Sequence, residues 1–563
     1  MTGRGAPARP SPAGVWLTGI GDLKAALAAL RATGLFGPNP LRSVPHLVWC
    51  LLRHGVSLYA VVAWNARRWP DRPAVQDSEG AVSFRQLIDQ ADRAAARLES
   101  CTPAASTGLL CRNHAPFVAL LLACSRLGLR TVLLNTSFSA EQIRAVCQAQ
   151  GVSLLLCDDE FRPALEETGL RPLPVSALTA PAPGIRVSAL LRPPFQLRLR
   201  RRGRASLVLL TSGTTGSPRA VRHSLSPLSL LPTLSALLIQ LRPRPGSPTL
   251  LTLPLFHGHG LATLGLGLTL AAPLHLFARS GPEDHWRCLR EQRIEVLVLA
   301  PTILYRLLHT SESGALAADL LEVGTLPALR TVVSGSAPLG AVLAAQARRR
   351  FGAALHNLYG SSEAGLISLA TPEELSRAPG TVGRVLPGVR VRLQPLEPAR
   401  GEVTPGQVGR VTVQSGGVCR AGAGGGSQRF FETGDLGWFG ADGLLFLAGR
   451  QDDLLVIGGE NVYPEMIEER LARLPYVLDC AVTALYSAEY GQAVHAHLVL
   501  KTRPGDIGPG DIGPGETRLA DIERDLRALL PRMLRPARIS VVDALPRTPL
   551  GKLLRPRIGE PPD

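Results

Sequence analysis

Short apolar runs and amphipathic stretches alternate along most of this chain. Residues 109–111 (LLC), 130–134 (RTVLL) and 152–157 (VSLLLC) are aliphatic blocks of strand length. Between them, residues 115–127 and 140–150 carry apolar positions at helical spacing. Such alternation predicts parallel strand–helix–strand units. Further strands are expected at 73–75, 207–210, 249–253, 295–300, 331–334 and 355–359, and helices at 232–241 and 261–270. Ser83 is placed to cap a helix that begins at Phe84.

The pattern changes after about residue 380. Residues 383–413 read as short strands and turns, a small β unit. Residues 416–426 are rich in glycine. A helix at 465–474, strands at 477–484 and 493–501 and a helix at 519–531 then suggest a separate domain. The predicted fold class is α/β. A large N-terminal domain of mostly parallel αβ-layered sheets carries the small β unit, and a small mobile α+β C-terminal domain follows. The boundaries drawn are 1–45 for a partly disordered N-terminal extension, 46–449 for the large domain and 450–563 for the small one.

Composition narrows the function classes. The 563 residues carry a formal charge of +16, but only Lys24, Lys501 and Lys552 are lysines among 61 basic residues. The excess is therefore arginine spread along the chain. Its densest cluster, 198–204 (RLRRRGR), has no interleaved aromatics for stacking on bases, so nucleic acid is not an expected partner. The nine cysteines form no CxxC pair and several sit in apolar runs, which reads as buried thiols in a reducing, cytoplasmic setting. The N-terminus lacks the apolar core of a signal peptide. Residues 44–64 are apolar but interrupted by Arg53, His54 and Gly55. They read as amphipathic helix, on the protein or in peripheral contact with a membrane, rather than as a span.

Candidate chemistry clusters where apolar runs stop. After Leu210 comes Thr211-Ser212-Gly213-Thr214-Thr215-Gly216-Ser217, then Pro218 and Arg219. A loop without bulky side chains lets backbone N–H groups and hydroxyls surround an anion, so this is a phosphate-cradle candidate. Small-residue or polar loops also follow other expected strands: 254–260 with His257, then Gly335-Ser336-Ala337-Pro338, then Tyr359-Gly360-Ser361-Ser362-Glu363. That is the edge at which open α/β sheets bind ligands. Asp435, Arg450 and a turn ending in Lys552 (PRTPLGK) complete the set.

Together, and in this order, these segments resemble the adenylate-forming superfamily of acyl-CoA synthetases, luciferases and peptide-synthetase adenylation domains over roughly residues 60–555. The resemblance implies that 211–219 embraces the ATP β- and γ-phosphates. It implies that Gly335-Ser336-Ala337 lies against adenine, on which Tyr359 of the Tyr359-Gly360-Ser361-Ser362 segment stacks. Glu363 and Thr211 would hold Mg2+, Asp435 and Arg450 the ribose, and His257 would border the acyl site. Asp452, in the Gly449–Asp453 hinge, would be the pivot of the small domain. Gly458 and Gly459 would line a pantetheine tunnel, and Lys552 would be the cation between the carboxylate and the α-phosphate. Arg219 and Ser362 depart from the usual Lys and Thr, and the segment before Phe431 is short and glycine-rich. The implied activity is an ATP-dependent acid–CoA ligase, with a fatty acid favoured as substrate and ATP, Mg2+ and coenzyme A as cofactors. Two alternatives stay open: an acyl-AMP ligase that loads a separate carrier protein, and a non-catalytic nucleotide-binding homologue. A homodimer is compatible with the same reading.

Overall fold

The computed structural model describes residues 35–36, 40–101, 106–167, 169–170, 172–179, 205–211, 219–223, 235–309, 326–361, 363–396, 403–415, 430–457, 460–474, 476–487, 491–500, 522, 524–526, 530, 534–548 and 552–558. The α/β fold is as expected. Among these residues one sheet has six strands in the order Leu173–Pro174, Leu154–Cys157, Ser106–Leu110, Arg130–Leu133, Ser206–Thr211 and Arg219–His223. All neighbours are parallel except the last pair, an antiparallel hairpin in which Thr211 faces Arg219.

The second sheet is longer than the sequence suggests. Its parallel centre runs Leu355–Ser361, Thr331–Gly335, Val296–Leu299, Thr249–Leu251, Leu274–His275 and Pro73–Asp77. The expected small β unit is a continuation of this sheet rather than a separate one. Strand Thr381–Val385 pairs with Gly365–Ala370 on one side and with Leu445–Arg450 on the other, and Phe431–Phe439, Gly409–Ser415 and Val389–Gln394 follow outward. Thr381 fastens the join, because its hydroxyl donates to Leu445 O at 2.8 Å. Counting Gly80–Ser83 at the far edge, thirteen described strands form one sheet.

Helix Ala115–Leu127 ties the two sheets together. Ten of its residues are buried, and Phe117, Leu120 and Leu122 share one core with Leu109 of the six-stranded sheet and Leu251 of the long one. Its sequence sets both ends. The His114 ring accepts from Phe117 N at 3.1 Å, and Gly128 takes the left-handed conformation (φ 68°) that closes a helix at low cost. Ser83 caps as expected, in a reciprocal box with Gln86.

Residues 44–64 form two helices, Pro40–His54 and Leu58–Arg68, broken at Gly55 (φ 70°). The first crosses the boundary drawn at residue 45. The disorder expected for the N-terminal extension concerns residues that, apart from Leu35 and Phe36, precede this helix and lie outside the described ones. No helix among the described residues is long and apolar enough to cross a membrane. The seven described cysteines with side chains are all buried thiols.

The C-terminal region folds as an α+β unit. Antiparallel strands Val477–Ser487 and Gly491–Leu500 are joined by Arg538–Val541, parallel to the second. Helix Pro464–Leu471 buries Ile467 and Leu471 against Val482, Ala496 and Leu498. Of the helix expected at 519–531, only Ile522 and residues 524–526 are described as helical.

Candidate active site

The carboxyl ends of the parallel strands open on a cavity of 1490 Å3. His257, Ser336, Ala337, Tyr359, Gly360, Ser361, Glu363, Asp435, Arg450, Asp452 and Lys552 all line it, although they span nearly three hundred positions of sequence. The structure thus brings together eleven of the twenty-two residues singled out from the sequence; Gly335 is not on the wall, and a Cβ there would meet the His259 ring and Leu358 O, each at 2.8 Å. Ser212, Gly213, Thr214, Thr215, Gly216, Ser362, Gly458 and Gly459 lie outside the described residues. Thr211 and Arg219 are described as backbone only, the two register partners at the base of the hairpin.

Sheet pairing builds the polar centre. Asp435 and Arg450 are cross-strand partners on Phe431–Phe439 and Leu445–Arg450, and Arg450 Nη1 donates to Asp435 Oδ1 at 3.0 Å. Thr433 fixes the backbone at Asp435. Its hydroxyl accepts from Asp435 N at 3.1 Å and donates to Val411 O at 3.0 Å. Gly434 is required between them: φ is +77°, and a Cβ there would meet Arg450 Nη2 at 2.8 Å.

The second oxygen of Asp435 accepts from the Tyr359 hydroxyl at 2.6 Å. Burial, and then the Asp435 charge, push the Tyr359 phenol well above its ordinary 10. Tyr359 is therefore a fixed neutral donor that holds the carboxylate in place. The sequence points to an aromatic face at this position; the hydroxyl bond across 76 residues carries no local signal. The strand also continues past Tyr359 to Ser361, where a loop is expected, through a bulge at Tyr359/Gly360.

Lys552 enters this cavity from the C-terminal unit. Its turn is closed by Thr548 N donating to Lys552 O at 2.8 Å and Lys552 N donating to the Thr548 hydroxyl at 3.1 Å. Arg547 pins one side with a two-pronged contact to Asp479, at 2.8 and 3.0 Å. Arg555 pins the other. Its guanidinium reaches Glu468 at 2.5 Å, Glu465 at 3.1 Å and Asp453 at 3.3 Å. Burial lowers the Lys552 ammonium below its ordinary 10.5, Arg450 lowers it further, and Asp435, Asp453 and Glu363 oppose that. The ammonium therefore feels charges from both domains.

The domains meet at the end of strand Leu445–Arg450. Gly449 has φ +129°, and a Cβ there would overlap the Glu465 carboxylate of helix Pro464–Leu471. Burial and the neighbouring Glu468 raise Glu465 to about 7, while Arg555 pulls it down. Asp452 follows in the short turn Gln451–Asp453.

Glu363 contributes one carboxylate to the cavity wall. Among the described residues no group of three His, Cys, Asp or Glu side chains forms a closed metal site. A lone carboxylate suits Mg2+, which binds one or two protein carboxylates and takes its other ligands from phosphates and water.

Histidines border the apolar side. His257 precedes helix Gly258–Thr269 and packs on Phe256, ring centroids 4.6 Å apart. His259, which the sequence does not single out, places Nδ1 3.0 Å from the Ser336 hydroxyl. Burial holds both rings down to about 4, so they are neutral at physiological pH. His54, His275, His285 and His497 are likewise held at about 4, with burial the largest cause in each. An unfolded chain takes protons on these rings near the ordinary 6.5, before the folded one does. Stability is thus fully present above that value and declines as pH falls toward 4. Thermal melts across this interval are expected to show a monotonic drop in Tm; a flat Tm would contradict neutral burial of these rings.

Comparison with known proteins fits this geometry. Residues 62–421 match the AMP-binding enzyme family and 466–552 the AMP-binding enzyme C-terminal domain. The chain belongs to this family of AMP-binding enzymes. It is 27% identical over 505 residues to 2-succinylbenzoate–CoA ligase of Bacillus licheniformis, covering 88% of this chain and 98% of that one. It is 27% identical over 522 residues to the fatty acid–[acyl-carrier-protein] ligase ScoC of Streptomyces coeruleorubidus, covering 89% and 95%. The same fold occurs in o-succinylbenzoate CoA synthetase of Bacillus subtilis, solved with its acyl-adenylate, at a TM-score of 0.72 and 23% identity over 89% of this chain and 98% of that one.

Proposed function

We propose that this protein is an ATP-dependent carboxylic acid–CoA ligase that works through an acyl-adenylate. The observation that carries the reading is the meeting of Lys552, from the small domain, with Asp435 and Glu363, from the large one, and with Arg450 at their junction, in a single cavity. A carboxylate and a triphosphate repel each other, so the site must neutralise both and hold them in line.

In this reading Asp435 accepts from the ribose hydroxyls, with Arg450 and Tyr359 fixing its two oxygens. Ser336 and Ala337 border the base. Glu363 would hold the magnesium that accompanies ATP, and that ion would supply neutralising charge to the phosphates. Lys552 donates to the acid's carboxylate and the α-phosphate. The acid oxygen then bonds to the α-phosphorus, and the α–β bridging bond breaks with its electrons leaving on pyrophosphate. In the second step the sulfur of coenzyme A bonds to the carbonyl carbon. The carbon–oxygen bond to AMP breaks, and the thiol proton passes to solvent. The backbone turn at 449–453 is where the small domain swings between the two steps, with Asp452 as pivot.

The acid is an alkyl acid. Leu261, Ala262, Gly265 and Leu266 of helix Gly258–Thr269 line the cavity beyond the two neutral histidines, with no charged group among them. A Cβ added at Gly265 would meet nothing within 4 Å. The test is formation of acyl-CoA and pyrophosphate across a panel from butyrate to palmitate, with 2-succinylbenzoate and benzoate alongside. Turnover that increases along the alkyl series is expected; turnover of the aryl acids alone would refute the alkyl assignment. A second reading, transfer to a carrier protein, has the similarity to ScoC in its favour. Offering coenzyme A and a carrier protein's pantetheine as rivals separates the two.

A further inference from the structure

The cavity does not end behind helix Gly258–Thr269. It continues past Gly265 and Leu266 to Leu47, Leu51, Val56 and Leu58, on and between the two N-terminal helices. The first of these, Pro40–His54, is apolar on two faces roughly 100° apart. Leu47 and Leu51, one turn apart, face the cavity. Val44, Val48 and Leu52, on another i, i+4 row, face outward with Trp49 and are exposed at 40, 47, 75 and 40% in the order Val44, Val48, Leu52, Trp49; Val56, at the break, is exposed at 68%. A helix with apolar residues on both sides of a cavity wall is unusual in a protein that meets only water.

The charge that these two helices themselves contribute has one sign; the nearby Asp92, on helix Phe84–Cys101, accepts from Tyr59 and is paired with Arg126. Residues 40–70 contain four arginines and no acidic residue. The Arg53 and Arg67 guanidinium groups lie over the Trp49 ring, 5.3 and 4.3 Å from its centroid. At 15 residues, helix Pro40–His54 is too short to cross a bilayer. An exposed Trp/Leu/Val face flanked by arginines, here Arg53 and Arg67, is the composition of a helix that lies in the headgroup region of an anionic membrane.

We propose that helix Pro40–His54 docks on an anionic lipid bilayer, and that the end of the cavity beneath it is the portal through which a long-chain acid leaves the bilayer. The acid passes Leu51 and Gly265 and presents its carboxylate near Lys552. This rests on the alkyl-acid reading above, and it places the substrate in the lipid phase, where a long-chain acid resides.

The test uses the full-length protein and vesicles of phosphatidylcholine with or without phosphatidylglycerol. The wild type is expected to sediment with the anionic vesicles and to be released from them by salt. It should not sediment with phosphatidylcholine alone. The double variant Val48→Glu/Leu52→Glu, checked for an unchanged melting temperature, is expected to stay in solution. Its ratio of palmitate to butyrate turnover on anionic vesicles should fall by about tenfold or more. Because wild-type sedimentation needs no variant, misfolding of the variant leaves the test intact. Absence of wild-type sedimentation, or an unchanged palmitate-to-butyrate ratio in the folded variant, would overturn the proposal. So would a wild type of twice the monomer mass that the variant reduces to a monomer, since the patch would then be a contact between copies. Failure of the wild type to turn over either acid would instead refute the alkyl-ligase reading.

Discussion

Lys552→Ala is expected to slow acid-dependent adenylate formation by about 10²–10³-fold, the cost of removing one preorganised donor at a transition state that gathers negative charge. Thioester formation from pre-made acyl-AMP is expected to change far less, because the role proposed for the lysine lies in the first step. The structure explains the selectivity. Lys552 is held by a turn tied at Thr548, anchored through Arg547 to Asp479 and through Arg555 to Glu468, so its ammonium is aimed rather than free. Lys552→Arg is expected to restore little, since a planar guanidinium does not fit where a compact ammonium does. Burial and Arg450 lower the ammonium's pKa, so wild-type adenylation should decline at a lower alkaline pH than an exposed lysine would give. Single-turnover measurement of the two half-reactions checks all of this. Equal loss in both would refute the role given to Lys552.

Asp435→Ala carries the second large effect. Its carboxylate accepts from Tyr359 at 2.6 Å and from Arg450 at 3.0 Å, and the side chain is 14% exposed. Removing it leaves a phenol and a guanidinium without their acceptor, besides losing the contact proposed for ribose. A hydrogen bond to a charged group contributes about 1.5–3 kcal/mol, and each ~1.4 kcal/mol is a factor of ten. The kcat/KM for ATP is therefore expected to fall by about 10–100-fold. Asp435→Asn adds an independent readout. The Asp435 charge is the second cause of the raised Tyr359 phenol, after burial. Without that charge the phenol should titrate at lower pH in ultraviolet difference spectra. Unaltered ATP kinetics in Asp435→Ala would remove this aspartate from the nucleotide site.

Much of the fold was legible because hydrophobic period and turn chemistry agree over the chain's first half. Strand blocks at 106–110, 130–133 and 154–157 are buried on both faces, and Ser83 announces its helix through a capping box with Gln86. The single long sheet was not legible, since its join depends on a bulge at Thr381/Gly383 and on pairing with strand Leu445–Arg450, some sixty residues away. Site residues in strand-end loops could be found from local composition. Those fixed by distant partners could not. The Tyr359–Asp435 bond, the His259–Ser336 contact and the Arg555 cluster with Asp453, Glu465 and Glu468 join segments that have no periodic relation in sequence. The outward apolar row Val44, Val48, Leu52 is visible as spacing, but only its exposure separates a free face from a core face.

The central claim is that one cavity joins a carboxylic acid to the α-phosphate of ATP. Exchange of labelled pyrophosphate into ATP, measured on the wild type without coenzyme A, tests it most directly. Exchange that requires both an alkyl acid and magnesium, and that disappears in Lys552→Ala, is the expected result. ATP binding by calorimetry with no acid-dependent exchange would contradict it and leave a nucleotide-binding protein without ligase chemistry.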